Sequence, residues 1–248
     1  MSSRIFVVTH LEPSYQLPVG YSYIGVGAKC FYTEYRDDDG INIADKNPYY
    51  CELTALYWIW KNYQCSNDDI VGLVHYRRVL SKNSIFSFLL KRALSLNEIN
   101  HVLNKQDVIL PLPVSLEGGI FEQYGSAHNI DDLNLCVQEI LDAGKIDFCN
   151  LTSFKKLNAA SIYNMMVCRK SVLDSYCEWL FPILFSIEPR LDLLQRSSYQ
   201  KRAIGFLAER LLNLWLTANQ DYKLAHFPVL RLDKSGFSNL NRLRKRAV

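Results

Sequence analysis

One stretch limits the fold more than any other. Ile70-Val71-Gly72-Leu73-Val74 is an unbroken apolar run, introduced by Asp68-Asp69 and cut off by His75-Tyr76-Arg77-Arg78. Such a run between polar brackets is expected to be a strand buried on both faces. A helix precedes it. Asn47 is placed to cap it, Pro48 suits its first turn, and Leu53, Leu56, Tyr57 and Trp60 recur at helical spacing. Ile5 to Thr9 forms another β-branched run near the start of the chain. Strand, helix and strand at these separations suit a parallel crossover.

The alternation continues. Tyr21 to Phe31 is a further apolar segment, and Asp37-Asp38-Asp39-Gly40 reads as a solvated turn, because three adjacent carboxylates cannot converge on one ion. Ile85 to Leu96 is amphipathic, with Lys91 and Arg92 beside Phe86, Phe88, Leu89 and Leu90. It suits a membrane surface or a cover over the sheet, packing on the domain being the ordinary outcome. Asp107 to Leu110, Ser161 to Cys168 and Phe227 to Leu232 read as strands. Asp131 to Leu141, Leu173 to Ile187 and Ser198 to Thr217 read as helices, the last one long or broken. The expected class is α/β, a single domain with a largely parallel central sheet flanked by helices.

Composition excludes several roles. With 248 residues, 49% hydrophobic and 21% charged, the chain can bury a substantial core. A net charge of +3 is too mild for a nucleic-acid binder. The excess gathers in a basic tail, residues 236–248, at Arg242, Arg244, Lys245 and Arg246. Seven cysteines without CxxC spacing indicate a reducing compartment, with neither a disulfide framework nor a zinc site. No signal-peptide pattern or membrane-length apolar run is present, so a cytoplasmic protein is expected. The absence of GxGxxG and GxxxxGK[ST] loops argues against dinucleotide-binding and P-loop architectures.

Ligands of open α/β sheets gather at the carboxyl ends of strands, which selects Thr9, His10 and His75 to Arg78. Two adjacent guanidiniums are costly in a core, and their fork geometry suits phosphate. The alternative for the pair is a surface arginine beside a structural ion pair. No D-x-D motif follows an apolar strand.

The motif from Ile43 to Asn62, IADKNPYYCELTALYWIWKN, followed by VGLVHYRR from Val71, closely resembles a family of small bacterial glycosyltransferases of capsule, exopolysaccharide and O-antigen assembly that includes galactofuranosyltransferases. The likeness continues through Phe121-Glu122-Gln123-Tyr124, His128-Asn129, Tyr163-Asn164-Met165-Met166, Tyr176 to Phe181, Gly205 to Asn213 and Phe227-Pro228-Val229, nearly the whole chain. It implies a GT-A-like fold over residues 1–235, with a nucleotide-sugar half of about 1–115 and an acceptor half of about 116–235. It also implies an inverting transfer from a UDP-sugar, UDP-galactofuranose first, onto a glycan or undecaprenyl-linked glycan. The enzyme would act in the cytoplasm with a peripheral contact at the inner face of the plasma membrane. His75 to Arg78 stand where metal-dependent relatives carry D-x-D, so no divalent metal is expected.

Roles follow from that resemblance. Glu209, a carboxylate on an apolar helix, is the first choice for the base that deprotonates the acceptor, with Arg210 or Arg202 as partner; a purely structural Arg–Glu pair is the alternative. His128 and Glu122, expected in a loop after Gly118-Gly119, are the other candidates. Lys46, Asn47 and Glu52 would hold the nucleotide near a helix start. Asn164, expected within a strand, would meet the donor sugar, and His75, Tyr76, Arg77 and Arg78 the diphosphate.

Overall fold

The computed structural model describes residues 3–12, 15–27, 31–236 and 238–239. Its elements in chain order are β1 (Arg4–Thr9), β2 (Tyr21–Gly25), β3 (Tyr35–Arg36), α1 (Asn47–Tyr50), α2 (Leu53–Asn62), β4 (Ile70–His75), β5 (Arg78–Leu80), α3 (Ile85–Leu89) and α4 (Leu96–Leu103). There follow β6 (Val108–Pro111), β7 (Val114–Ser115), α5 (Gly119–Ala127), α6 (Ile130–Asp142), α7 (Phe148–Lys155), β8 (Ala159–Ala160), β9 (Met166–Arg169), α8 (Lys170–Ile187), α9 (Ala203–Ala218), β10 (Leu224–Phe227) and β11 (Val229–Arg231).

The run that opened the sequence reading is the middle of the sheet. Strand order is β10-β6-β9-β4-β1-β2-β3, with β5 turned back beside β4 and paired to β11. Strands β4, β1, β2 and β3 run parallel, as do β10 and β6, while β9 is antiparallel to both of its neighbours. Side chains alternate between two cores, as a pleated strand requires. Phe6, Val8, Val71 and Leu73 pack under α2, α5, α6, α8 and α9. Ile5, Val7, Ile70 and Val74 pack under the second layer, with Phe88, Leu94, Ile99 and Leu230. The expected α/β sheet flanked by helices is therefore the observed one.

Several boundaries differ from the sequence reading, each for a local reason. The helix from Asn47 is broken at Cys51, whose φ of 53° is left-handed. Asn47 consequently bridges the break rather than capping a helix start: its Nδ2 donates to the Cys51 carbonyl at 2.9 Å and to Thr54 Oγ1 at 3.1 Å. The amphipathic segment Ile85 to Leu96 is split, with Lys91 at φ 50°, and Ser95 with Glu98 forms a capping box that starts α4. Strand β9 begins only at Met166, because Tyr163 and Asn164 have φ of 86° and 49°. Pro228 divides the last expected strand into β10 and β11. Glu122 lies in helix α5, and His128 closes that helix, where a loop was expected.

The acidic triplet is also not a uniformly solvated turn. Asp37 is fully buried and accepts from Thr54 Oγ1 at 2.5 Å, and burial pushes its carboxyl up to about 6. Asp38 pairs with Arg36, and Asp39 receives the Gly40 amide. The basic residues of the tail, Arg242 to Arg246, and Cys30 lie outside the described residues.

Gly72 marks the tightest point of the central strand. A Cβ there would lie 2.6 Å from Val167 Cγ2 and 3.0 Å from Ile5 Cδ1. Gly72→Ala is expected to lower stability by about 1–3 kcal/mol through overpacking, measured as a shift in the urea midpoint with unchanged slope.

Candidate active site

Parallel β1 and β4 end side by side, Val8 opposite His75, and a cleft of about 690 Å³ opens beyond them. Thr9 shapes its rim without facing it. The side chain is fully buried, and its hydroxyl donates to the Leu11 carbonyl at 2.6 Å and accepts the Leu11 amide at 3.2 Å. This local turn sends the exposed His10 into the cleft, edge-on to Tyr76 at 5.2 Å between ring centroids.

The His75–Arg78 segment does not leave the sheet as a loop. Tyr76 and Arg77 form the two-residue turn of a hairpin in which His75 pairs with Arg78. Both guanidiniums rest on aromatic faces, Arg77 over Tyr76 at 4.8 Å and Arg78 over Tyr163 at 4.9 Å. Among the described residues no carboxylate pairs with either. His75 behaves differently from its expected role. Burial lowers its imidazole below the usual value, and nearby Arg78 lowers it further, against the opposing pull of Glu52. Its protonated form is therefore disfavoured, which weakens it as a source of positive charge for a diphosphate.

The acceptor-half residues arrive on α9 and on the turn before β9. Arg202, Phe206, Glu209 and Arg210 fall on one face of the helical segment, with Asn213 one turn further. Asn213 acts as a surrogate strand: its Oδ1 accepts the Ser161 amide at 3.0 Å and its Nδ2 donates to the Ser161 carbonyl at 2.8 Å. That clamp sets the Tyr163 amide against Glu209 Oε1 at 3.2 Å. Because β9 runs antiparallel to β4, with Met166 opposite Leu73, the turn lies beside His75. Asn164 is buried there and donates to Glu52 Oε1 at 2.8 Å and to the Gly205 carbonyl at 3.1 Å. Glu52 Oε1 is 3.9 Å from His75 Nε2.

Glu209 is largely buried and held by two donors, the Tyr163 amide and Arg210, whose guanidinium is 2.8 Å from Oε2 and also donates to Gln123 Oε1 at 2.6 Å. Burial nevertheless pushes its carboxyl up to about 7; the Glu52 charge acts the same way, while Arg210 and the Tyr163 amide pull back. His128 stacks on Phe206 at 4.0 Å, and burial lowers its imidazole. Arg202 donates to Cys51 Sγ at 3.1 Å. Among the buried polar atoms without a hydrogen-bond partner, His75 Nε2 and Tyr76 OH belong to residues that line the cleft, and Asn164 Oδ1 to the residue behind Glu52. Unsatisfied buried polar groups in a native fold call for an explanation, such as a catalytic role or a bound water or ion.

The cleft thus brings together His10, Asn47, Glu52, His75, Tyr76, Arg77, Arg78, His128, Arg202, Glu209 and Arg210, with Asn164 directly behind Glu52. Besides Thr9 at the rim, two sequence candidates stand elsewhere. Lys46 faces a separate cavity of about 900 Å³ and pairs with Glu188 at 2.9 Å. Glu122 is exposed on the first turn of α5, folded over Gly118, outside the cleft lining. Cys51, Gln123, Tyr163, Tyr199 and Phe206 line the cleft and had no assigned role. Gln123, Tyr163 and Phe206 were within recognisable motifs, whereas nothing local marks Tyr199. No cluster of three His, Cys, Asp or Glu side chains suited to a metal occurs among the described residues.

Fold and cleft define an α/β protein with an arginine-rich polar cleft at the carboxyl ends of its parallel strands. The chain belongs to the family described as a domain of unknown function, DUF4422, whose model matches residues 4–220. No curated protein matches it. The apo structure of the bifunctional glycosyltransferase WbbM shares the fold, with a TM-score of 0.83 and 24% identity over 94% of this chain. The chain spans 46% of that longer protein.

A Glu209 carboxyl raised to about 7 has a signed consequence for stability. The protonated native form is favoured, so its contribution is complete below the ordinary glutamate value and is lost as pH rises through about 7. The melting temperature of Glu209→Gln minus that of the wild type should therefore increase between pH 5 and pH 8 by several degrees, at about 2–4 °C per kcal/mol for a chain of this size. Any fixed cost of turning an amide N–H toward Arg210 cancels in that comparison. A difference independent of pH would show that Glu209 ionises normally.

Proposed function

We propose that this protein is an inverting glycosyltransferase that moves a hexosyl unit, with galactofuranose from UDP-galactofuranose as the leading candidate, onto a polysaccharide or lipid-linked oligosaccharide. One observation carries the reading: a carboxylate tuned to about 7 shares a cleft with two arginines that no described carboxylate neutralises. The glycosyltransferase fold and the sequence resemblance support the reaction class, and the choice of furanose donor rests on the resemblance.

In this mechanism the acceptor hydroxyl attacks the anomeric carbon from the face opposite the nucleotide. Glu209 takes the hydroxyl proton as the new C–O bond forms. The bond from the anomeric carbon to the diphosphate oxygen breaks, and its electron pair leaves with UDP. Arg77 and Arg78 bear the growing negative charge, a task that suits cations fixed in place before reaction. Arg202, at the start of α9, adds a third positive group. In this reading Glu52 binds donor hydroxyls, with Asn164 behind it holding its carboxylate through Nδ2. His128, neutral and stacked, orients the acceptor side. The cations perform the part that a divalent metal performs elsewhere.

Arg77→Ala with Arg78→Ala is expected to lower transfer by at least about 100-fold, the scale of losing groups that stabilise transition-state charge, with the melting temperature nearly unchanged because neither side chain is in the core. Turnover surviving in that variant would remove the arginines from the reaction. Donor identity is read by thermal shift against UDP-galactofuranose, UDP-galactose and UDP-glucose, since ligands of the native state raise its melting point. Activity lost to EDTA and restored by a divalent ion would refute the metal-free step.

For a base that must be ionised, kcat/KM should rise with pH and level off above about 7. Glu209→Gln should remove that limb and cost roughly 100- to 10,000-fold. A limb that persists in this variant and vanishes in His128→Gln would move the base to His128.

A further inference from the structure

We propose that α3 is a membrane-docking element that seats the protein on an anionic lipid surface. The helix is short, but its two faces differ sharply. Phe88 and Ser87 are buried and fix it to the domain, whereas Ile85, Phe86, Leu89 and the adjoining Leu90 are 61%, 76%, 41% and 75% exposed. These four lie at helical spacings of one, four and five, so they form one outward apolar face. Large apolar side chains concentrated this way mark an interaction surface.

Charge identifies the occupant. Lys82, Lys91 and Arg92 flank the apolar face, and the one carboxylate bonded to them is Glu98, which meets both Lys82 at 2.7 Å and Arg92 at 2.8 Å. The rim is therefore net positive. An apolar face flanked by cations is the composition that inserts at a headgroup boundary and is held by anionic lipid. Four side chains on one turn and a half expose less than the ~800 Å² that each partner of a stable protein complex buries, which argues against a second copy as occupant.

The geometry also relates the surface to the cleft. Ile85 follows Arg78 by only seven positions, a span of at most about 25 Å. A chain docked through α3 holds its cleft within that distance of the lipid, as a lipid-linked acceptor would require.

The test is co-sedimentation of the full chain with vesicles of phosphatidylcholine alone and of phosphatidylcholine mixed with phosphatidylglycerol. The wild type is expected to bind the mixed vesicles, more weakly at high salt, and to bind the neutral ones poorly. Phe86→Glu with Leu90→Glu should weaken binding roughly tenfold or more; Phe86→Ser with Leu90→Ser should weaken it without adding charge, and both variants should keep the wild-type melting temperature and turnover of a soluble acceptor. Binding unchanged in both variants would assign attachment to the basic tail alone and overturn the proposal. So would a wild type that ignores both vesicles, or one that light scattering shows to be a dimer broken by these substitutions. Sedimentation does not depend on turnover, so its failure is distinct from a failure of the glycosyl-transfer reading.

Discussion

The side-chain amide of Asn164 holds the cleft together. Its Nδ2 joins the Glu52 carboxylate at the α1–α2 break to the Gly205 carbonyl inside α9. The residue itself sits in a left-handed turn with Tyr163. Two consecutive non-glycine residues in that region cost on the order of 1–3 kcal/mol each. A buried hydrogen bond to a charged partner returns about 1.5–3 kcal/mol, and the Tyr163 amide makes a second one to Glu209. Cost and compensation are of the same size, so the turn exists because those carboxylates are present. The carboxylates in turn are fixed by the turn. Asn213 closes the arrangement by holding Ser161 in strand-like pairing against α9.

That arrangement explains how the site sorts its charges. Glu52 and Glu209 are both near the buried turn, and the Glu52 charge adds to burial in making the ionised form of Glu209 less favourable. Arg210 is drawn to Glu209 and Gln123 and becomes part of the frame. Arg77 and Arg78 lie on the hairpin at the far side, supported by Tyr76 and Tyr163 ring faces, which hold a guanidinium without neutralising it. The protonated form of His75 is disfavoured between the two groups. The cleft thus separates a proton-accepting wall from a cationic one, and residues of both the first 115 positions and the later ones are needed to build it.

Much of this was legible in the chain. The strands around Ile5–Thr9 and Ile70–Val74 announce themselves as β-branched runs, and α6, α8 and α9 as long periodic ones. Most of the selected polar residues do meet in one cleft. Three of the misplaced boundaries share a cause. Among the described residues the non-glycine positions with positive φ are Cys51, Lys91, Tyr163 and Asn164. Cys51 breaks the expected first helix, Lys91 lies in the break of the amphipathic segment, and Tyr163-Asn164 delays β9. Local propensity assigns such residues to regular structure, because the left-handed conformation is unfavourable without tertiary contacts. Lys46 and Thr9 were misjudged for a related reason: proximity along the chain to a site does not set the direction of a side chain. The partner of Lys46, Glu188, is 142 residues away.

The exceptions therefore carry information that the regular elements do not. A cysteine, an asparagine and a tyrosine held against their backbone preference surround one polar cleft, and each is stabilised by a contact with α9: Cys51 through Arg202, Asn164 through Gly205 and Tyr163 through Glu209. Gly205 lets α9 come close enough for this, since a Cβ there would already touch Cys51 Sγ at 3.3 Å. Strain on three separate segments is thus referred to a single helix. Small movements of α9 would be felt together by Glu209, by the Glu52–Asn164 pair and by the Cys51 break, whereas the hairpin with Arg77 and Arg78 is anchored through β5 to β11 and meets that unit where Arg78 rests on the Tyr163 ring. The proton-accepting wall is a unit supported by one helix, and the cationic wall belongs to the sheet.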